Sequence, residues 1–120
     1  MAVSISDLIA KREEIKERKA QKMTIMTSIG EVVAKKPSAY LMAEAFGLDE
    51  GGDEYLVYNC IEEPNLKDKE LQEAYDCHDP IDIVNKLFDF GEIKGISTIL
   101  ISAVGMGKKL DYAILDEIKK

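Results

Sequence analysis

The chain has little of what staples a small fold, grips a metal or cradles a phosphate. Two cysteines and one histidine in 120 residues are too few for a disulfide scaffold, so Cys60 and Cys77 read as small core hydrophobes of a reducing compartment. Cys77-His78-Asp79 does line up thiol, imidazole and carboxylate. Neighbouring side chains seldom converge on one ion or substrate, however, and no CxxC or HxxxH spacing supports them. Gly47, Gly51, Gly52, Gly105 and Gly107 form no phosphate-binding fingerprint. No set of nucleophile, base and oxyanion donors can be assembled, which points away from an enzyme and calls for no cofactor and no metal. Apolar runs stay far short of the roughly 20 residues of a membrane helix, and residues 1–7 lack the basic-then-apolar pattern of a secretion leader. With 16 basic against 23 acidic residues the net charge is −7, the wrong sign for gripping a phosphate backbone. The expectation is a cytoplasmic protein with neither nucleic acid nor membrane as partner.

What the chain does have is apolar material, 46% of its residues, enough for one domain with a real core. The expected class is mainly α within α+β: a compact body of short helices with one small β-hairpin near the N-terminus, residues 1–120 forming a single domain. Residues 1–21 are expected as a charged helix, opened by a capping-box start at Ser4 and Asp7. Ile5, Leu8, Ile9 and Ile15 form only a narrow stripe on it amid charge of both signs. Such a helix either lies loosely on the body or serves as an arm that docks on a neighbour. Residues 22–36, rich in β-branched side chains with Gly30 between two short runs, predict a hairpin.

Helical signals dominate residues 38–120. Ser38 is a good N-cap for 39–46 and Gly47 a good C-terminal stop. Asp53 is placed to cap a buried helix over 54–61 that ends before Pro64. Asp68 or Asn65 caps a short helix through Tyr75, with Leu71 and Ala74 facing inward. Asp79-Pro80 predicts a restart, with Ile81, Val84, Leu87 and Phe88 at spacings of three and four. After a joint at Phe90-Gly91-Glu92, residues 92–104 form the most apolar element, either the central core helix or half of an interface. Beyond Gly105-Met106-Gly107, residues 110–120 predict a last helix with Ile114, Leu115 and Ile118 facing in. Carboxylates at Glu62, Glu63, Asp76, Asp79 and Asp82 sit where helix ends accept them.

The string Glu63-Pro-Asn-Leu-Lys-Asp-Lys-Glu-Leu-Gln-Glu-Ala-Tyr75, with Tyr55-Leu-Val-Tyr58 before it and Pro80-Ile-Asp-Ile-Val-Asn-Lys-Leu-Phe88 and Gly91-Glu-Ile93 after it, resembles the tail assembly chaperones of phages and prophages of Gram-positive bacteria. The resemblance implies a non-catalytic protein of the bacterial host cytoplasm, absent from the mature virion. Its implied partner is the tape measure protein, kept soluble while tail tube subunits polymerise around it; tube subunits and a second copy of the chain are further implied partners. Such families often make a longer frameshifted product. Lys119-Lys120 fits an A-rich slippery site, and it equally finishes a helix favourably. A chaperone for a helical client needs exposed apolar stripes flanked by charge. The expected contacts are Leu8 and Ile15 on the first helix, and Ile96, Ile99, Leu100 and Ile101 on the 92–104 helix. A structural tail component of the virion, or a protein-binding adaptor of antitoxin type, stays open at this point.

Overall fold

The capping box at the N-terminus forms. The Ser4 hydroxyl accepts from the Asp7 amide and the Asp7 carboxylate accepts from the Ser4 amide, both at 3.1 Å. In this computed structural model, which describes residues 2–115, it starts helix α1 (Ile5–Ala10). The single helix expected over the first 21 residues is in fact two, α2 (Arg12–Lys19) following a break at Lys11. Lys11 sits at φ −93°, ψ 2°, and the Arg12 guanidinium donates to the Ile9 carbonyl at 2.9 Å, taking an acceptor that an unbroken helix would offer to an amide.

Strands β1 (Lys22–Thr27) and β2 (Gly30–Lys35) make the expected hairpin, Lys22 opposite Lys35 and Thr27 opposite Gly30. Gly30 takes φ 118° at the turn. Two strands alone are marginal in water, and the chain supplies a third that was not expected: β3 (Ile61–Glu63) pairs antiparallel with β2, in the order β1-β2-β3. Ile61 therefore opens a strand instead of closing a helix, its backbone extended at φ −72°, ψ 122°. The hairpin tip is fixed separately. The Ser28 amide and hydroxyl donate to the two oxygens of Glu92 at 2.7 and 2.6 Å.

Ser38 caps α3 (Ala39–Phe46) by accepting from the Leu41 amide at 3.1 Å. Gly47 ends α3 in a right-handed conformation, φ −79°, so the left-handed stop expected there is not used. A left-handed glycine appears four residues later, where a helix begins. Gly51, at φ 85°, is the N-cap of α4 (Gly52–Cys60), and a Cβ built on Gly52 would stand 2.5 Å from the Ala45 carbonyl oxygen. Glycine is thus what lets the start of α4 touch the end of α3. Asp53, expected as the cap, lies in the first turn and reaches elsewhere.

Asp68 caps α5 (Lys69–Ala74), accepting from the Leu71 amide at 2.9 Å; Leu71 packs on the edge of the core, whereas Ala74, expected inside, is exposed. Asp79-Pro80 makes a turn rather than the helix start. The Asp82 carboxylate reaches back to the Asp79 amide at 3.0 Å, and α6 (Asp82–Leu87) begins two residues later than proline at the first helical position would place it. Helix α7 (Phe90–Ala103) starts within the expected joint, two residues before Glu92, with Asp89 as its N-cap.

Helix α4 is the hub, packing against α3, α6, α7 and β3. Leu56, Val57 and Cys60 on α4 meet Val32 and Ala34 of the sheet, Ile83 and Val84 of α6, and Ile93, Ile96 and Leu100 of α7. Leu66, in the loop after β3, is fully buried, and its carbonyl accepts from the Gln72 amide side chain at 2.9 Å. Residues 110–115, expected as the start of a helix facing inward, are neither helical nor buried, because nothing lies beneath them and so short a helix is marginal on its own. Ile118 and the rest of that expected helix lie outside the described residues. The radius of gyration is 19.0 Å, against about 14 Å for a compact chain of this length. The helical body is dense while the chain as a whole is elongated, with extents of 69 × 31 × 23 Å.

Candidate partner-binding surfaces

Helices α1 and α2 bury no residue. Val3, Ile5, Leu8 and Ile9 are exposed along one end of this arm, Ile15 is half-buried, and the root of the arm is held by the Lys36 ammonium, which donates to the Arg18 carbonyl at 2.8 Å. The charges that surround the stripe make such an arm compatible with water. Its apolar end is free for a partner.

The four positions expected on α7 separate. Ile96 and Leu100 are 2% and 0% exposed: they face α4 and belong to the core, so in this fold they cannot meet a partner. Ile99, 44% exposed, points away from that face, and Ile101 packs on the core's edge while still half-buried. The breadth of the apolar face on 92–104 was thus mostly a core signal. One turn of it reaches the surface.

Two grooves that sequence reasoning missed flank α3. The smaller, of about 520 Å³, sets the apolar side chains of Phe46, Leu48 and Phe90 beside Asp49, Glu50, Asp53 and Glu54. The Lys94 ammonium stands 5.6 Å from the centre of the Phe90 ring and pairs with Asp53 Oδ2 at 2.8 Å; the Ser97 hydroxyl, on a buried residue, donates to Asp53 Oδ1 at 2.6 Å. The Lys94 bond first, then that from Ser97, holds the Asp53 carboxyl below the usual aspartate range, and the same pairing raises Lys94. Asp53 is therefore a brace between α4 and α7 on the wall of the groove. The larger groove, about 780 Å³, lies between the root of the arm, α3 and the end of α7, with Met42, Phe46, Val104 and Met106 below Arg18, Lys19 and Lys36. The signal for both grooves was present in α3, whose eight residues include Tyr40, Leu41, Met42 and Phe46, more apolar bulk than one buried face can hide.

Among the described residues no group of three or more His, Cys, Asp or Glu side chains is placed to hold a metal ion, and no helix is long and apolar enough to cross a membrane. His78 is exposed and Cys77 half-buried, with both cysteines free. Burial pushes the Cys60 thiol up to about 11, which suits a core hydrophobe and not a nucleophile. The model of the phage XkdN-like tail assembly chaperone protein family matches residues 48–119, from just after α3 through the helices that follow it. The chain belongs to this family of phage tail assembly chaperones. No curated protein and no solved structure matches it. The match includes the α4 hub and most residues of the small acidic groove but not the arm, the hairpin or α3. A tail assembly chaperone has its partners among phage tail proteins, and the surfaces above offer them apolar side chains.

Proposed function

We propose that this tail assembly chaperone binds the tape measure protein in the host cytoplasm and keeps it soluble while the tail tube assembles, without catalysis. The observation that carries the proposal is the arm: two consecutive helices without one fully buried residue, which present Ile5, Leu8 and Ile9 in a charged frame. A helix pays the entropy of ordering without return unless its apolar stripe is covered, and a long helical client exposes stripes of the same kind. Leu8 and Ile15 on the arm, with Ile99 and the edge of Ile101 on α7, are the proposed contacts.

The test is co-expression of the chaperone with the tape measure protein of its own genome, reading soluble client and co-purification. Leu8→Glu with Ile15→Glu is expected to reduce soluble client several-fold while the chaperone keeps its own melting profile, since neither side chain belongs to the core. Undiminished client solubility with the double variant would remove the arm from the binding surface. Failure of the unmodified chain to rescue or retain the client would reject the tape measure protein as partner.

A further inference from the structure

Just past α7 the chain does something its composition makes expensive. Leu110, Tyr112, Ile114 and Leu115 are each at least 80% exposed, four large apolar side chains within six residues, while an apolar groove lined in part by Met106, four residues before Leu110, stands open. Leaving both faces in water forgoes the burial each could provide. The groove's floor is Met42, Phe46, Val104 and Met106, and its rim carries the cations Arg18, Lys19 and Lys36 on a chain whose net charge is −7. Residues 110–115, Leu-Asp-Tyr-Ala-Ile-Leu, carry one carboxylate, Asp111, and no cation, with Lys108 and Lys109 before them and Asp116 and Glu117 after them in sequence. An apolar floor with a basic rim thus matches an apolar segment that carries Asp111.

The segment is also tethered where it would need to be. Met106 is itself part of the groove wall, and it stands between Gly105 at φ 88° and Gly107 at φ 84°, with Lys108 bonded back to the Gly105 carbonyl at 3.1 Å. These left-handed glycines turn the chain sharply as it leaves α7. Residues 110–115, fully extended, reach about 20 Å, and a tether this short holds them near the groove at an effective concentration on the order of millimolar.

We infer that residues 110–115 dock in cis into the groove between the arm root, α3 and the end of α7. The segment is not helical, and in extended backbone Leu110, Tyr112 and Ile114 fall on one side of the chain, so three of its four large apolar side chains can enter the groove together. Docking covers the groove and joins the root of the arm to the end of α7. The inference concerns two parts of one chain and holds whichever tail protein is the client.

The chain contains no tryptophan, so Tyr112→Trp places a single indole on the segment without touching the core. In the full chain the introduced indole is expected to emit at blue-shifted wavelength and to be quenched by acrylamide several-fold less than in a chain that also carries Ile114→Asp and Leu115→Asp. The protection is expected to be unchanged on dilution. Lys19→Glu with Lys36→Glu should release the indole, and adding Asp111→Lys should recover part of the protection. Phe46→Ser, a change at a half-exposed side chain, should also release it. An indole as open to quencher as in the Asp-substituted chain overturns the inference, as does protection that survives Phe46→Ser. Protection that fades on dilution overturns docking in cis and assigns the groove to a second copy.

Discussion

Replacing Gly52 by alanine should destabilise the protein, although helix propensity alone says the reverse. Exchange of glycine for alanine inside a helix gains about 0.5–1 kcal/mol, less at the first helical residue, which is where Gly52 stands. Against that gain, the added Cβ would lie 2.5 Å from the Ala45 carbonyl oxygen. This is backbone of α3 and cannot rotate away. Restoring ordinary contact requires the start of α4 to move by nearly an ångström, and overpacking of this kind costs about 1–3 kcal/mol. The clash wins, for a net loss of about 1–2 kcal/mol. Gly95 is the control: it lies inside α7, it is exposed, and its Cβ would meet nothing within 4 Å, so Gly95→Ala should gain about 0.5–1 kcal/mol. Urea or thermal unfolding of the two variants should separate them by about 2–3 kcal/mol, or roughly ten degrees in Tm at some 4 °C per kcal/mol. A Gly52→Ala protein as stable as its parent would mean that α3 and α4 do not approach in this way.

Asp53 has its carboxyl held below the ordinary aspartate value of 3.8 by Lys94 and then Ser97, so its contribution is fully present above that value and is lost as pH falls through the lower folded value. Asp53→Asn should therefore lower stability by about 1–2 kcal/mol at neutral pH and flatten the acid side of the stability profile below the aspartate range; an unchanged acid slope would count against the brace. Native protein treated with iodoacetamide near neutral pH should label at Cys77 and not at buried Cys60, whose thiol burial pushes up to about 11; in urea both should label, and mass spectrometry of the digest decides. Leu66 sits in a loop but is fully buried, so Leu66→Ala should cost about 2–5 kcal/mol by chemical unfolding, where an ordinary loop position would cost almost nothing.

Local signals were legible because local chemistry made them. Ser4 with Asp7, Ser38 and Asp68 each satisfy an amide within three residues, and the β-branched run around Gly30 needs only its own turn to become a hairpin. What escaped depends on contacts between distant parts of the chain. Asp53 looks like a cap by spacing, but its partners are 41 and 44 residues away on Lys94 and Ser97. Ile61 belongs to a strand because β2 offers it an edge, which no window around residue 61 reveals. For the surfaces, the narrow stripe of the arm was visible. On α7, apolarity could not distinguish Ile96 and Leu100, which face α4, from Ile99, which does not. At the grooves the sequence of α3 showed an excess of apolar bulk, but that Phe46 and Phe90 are the side chains left open depends on neighbours from other elements.

The three-residue strand β3 lies inside the span that the family model recognises, whereas both strands of the hairpin precede it. The sheet is thus stitched from a recognised and an unrecognised part of one chain, and the tie from Ser28 to Glu92 crosses the same border. Ile25, Val32, Ala34, Met42 and Ala45 all supply core from the N-terminal side. A fragment cut at residue 48 would keep every residue that identifies the protein and lose a wall of its interior. The boundary along which these chaperones are recognisable is therefore not one along which this protein can be divided, and changes in the first 47 residues should be felt as changes in the stability of the last 73.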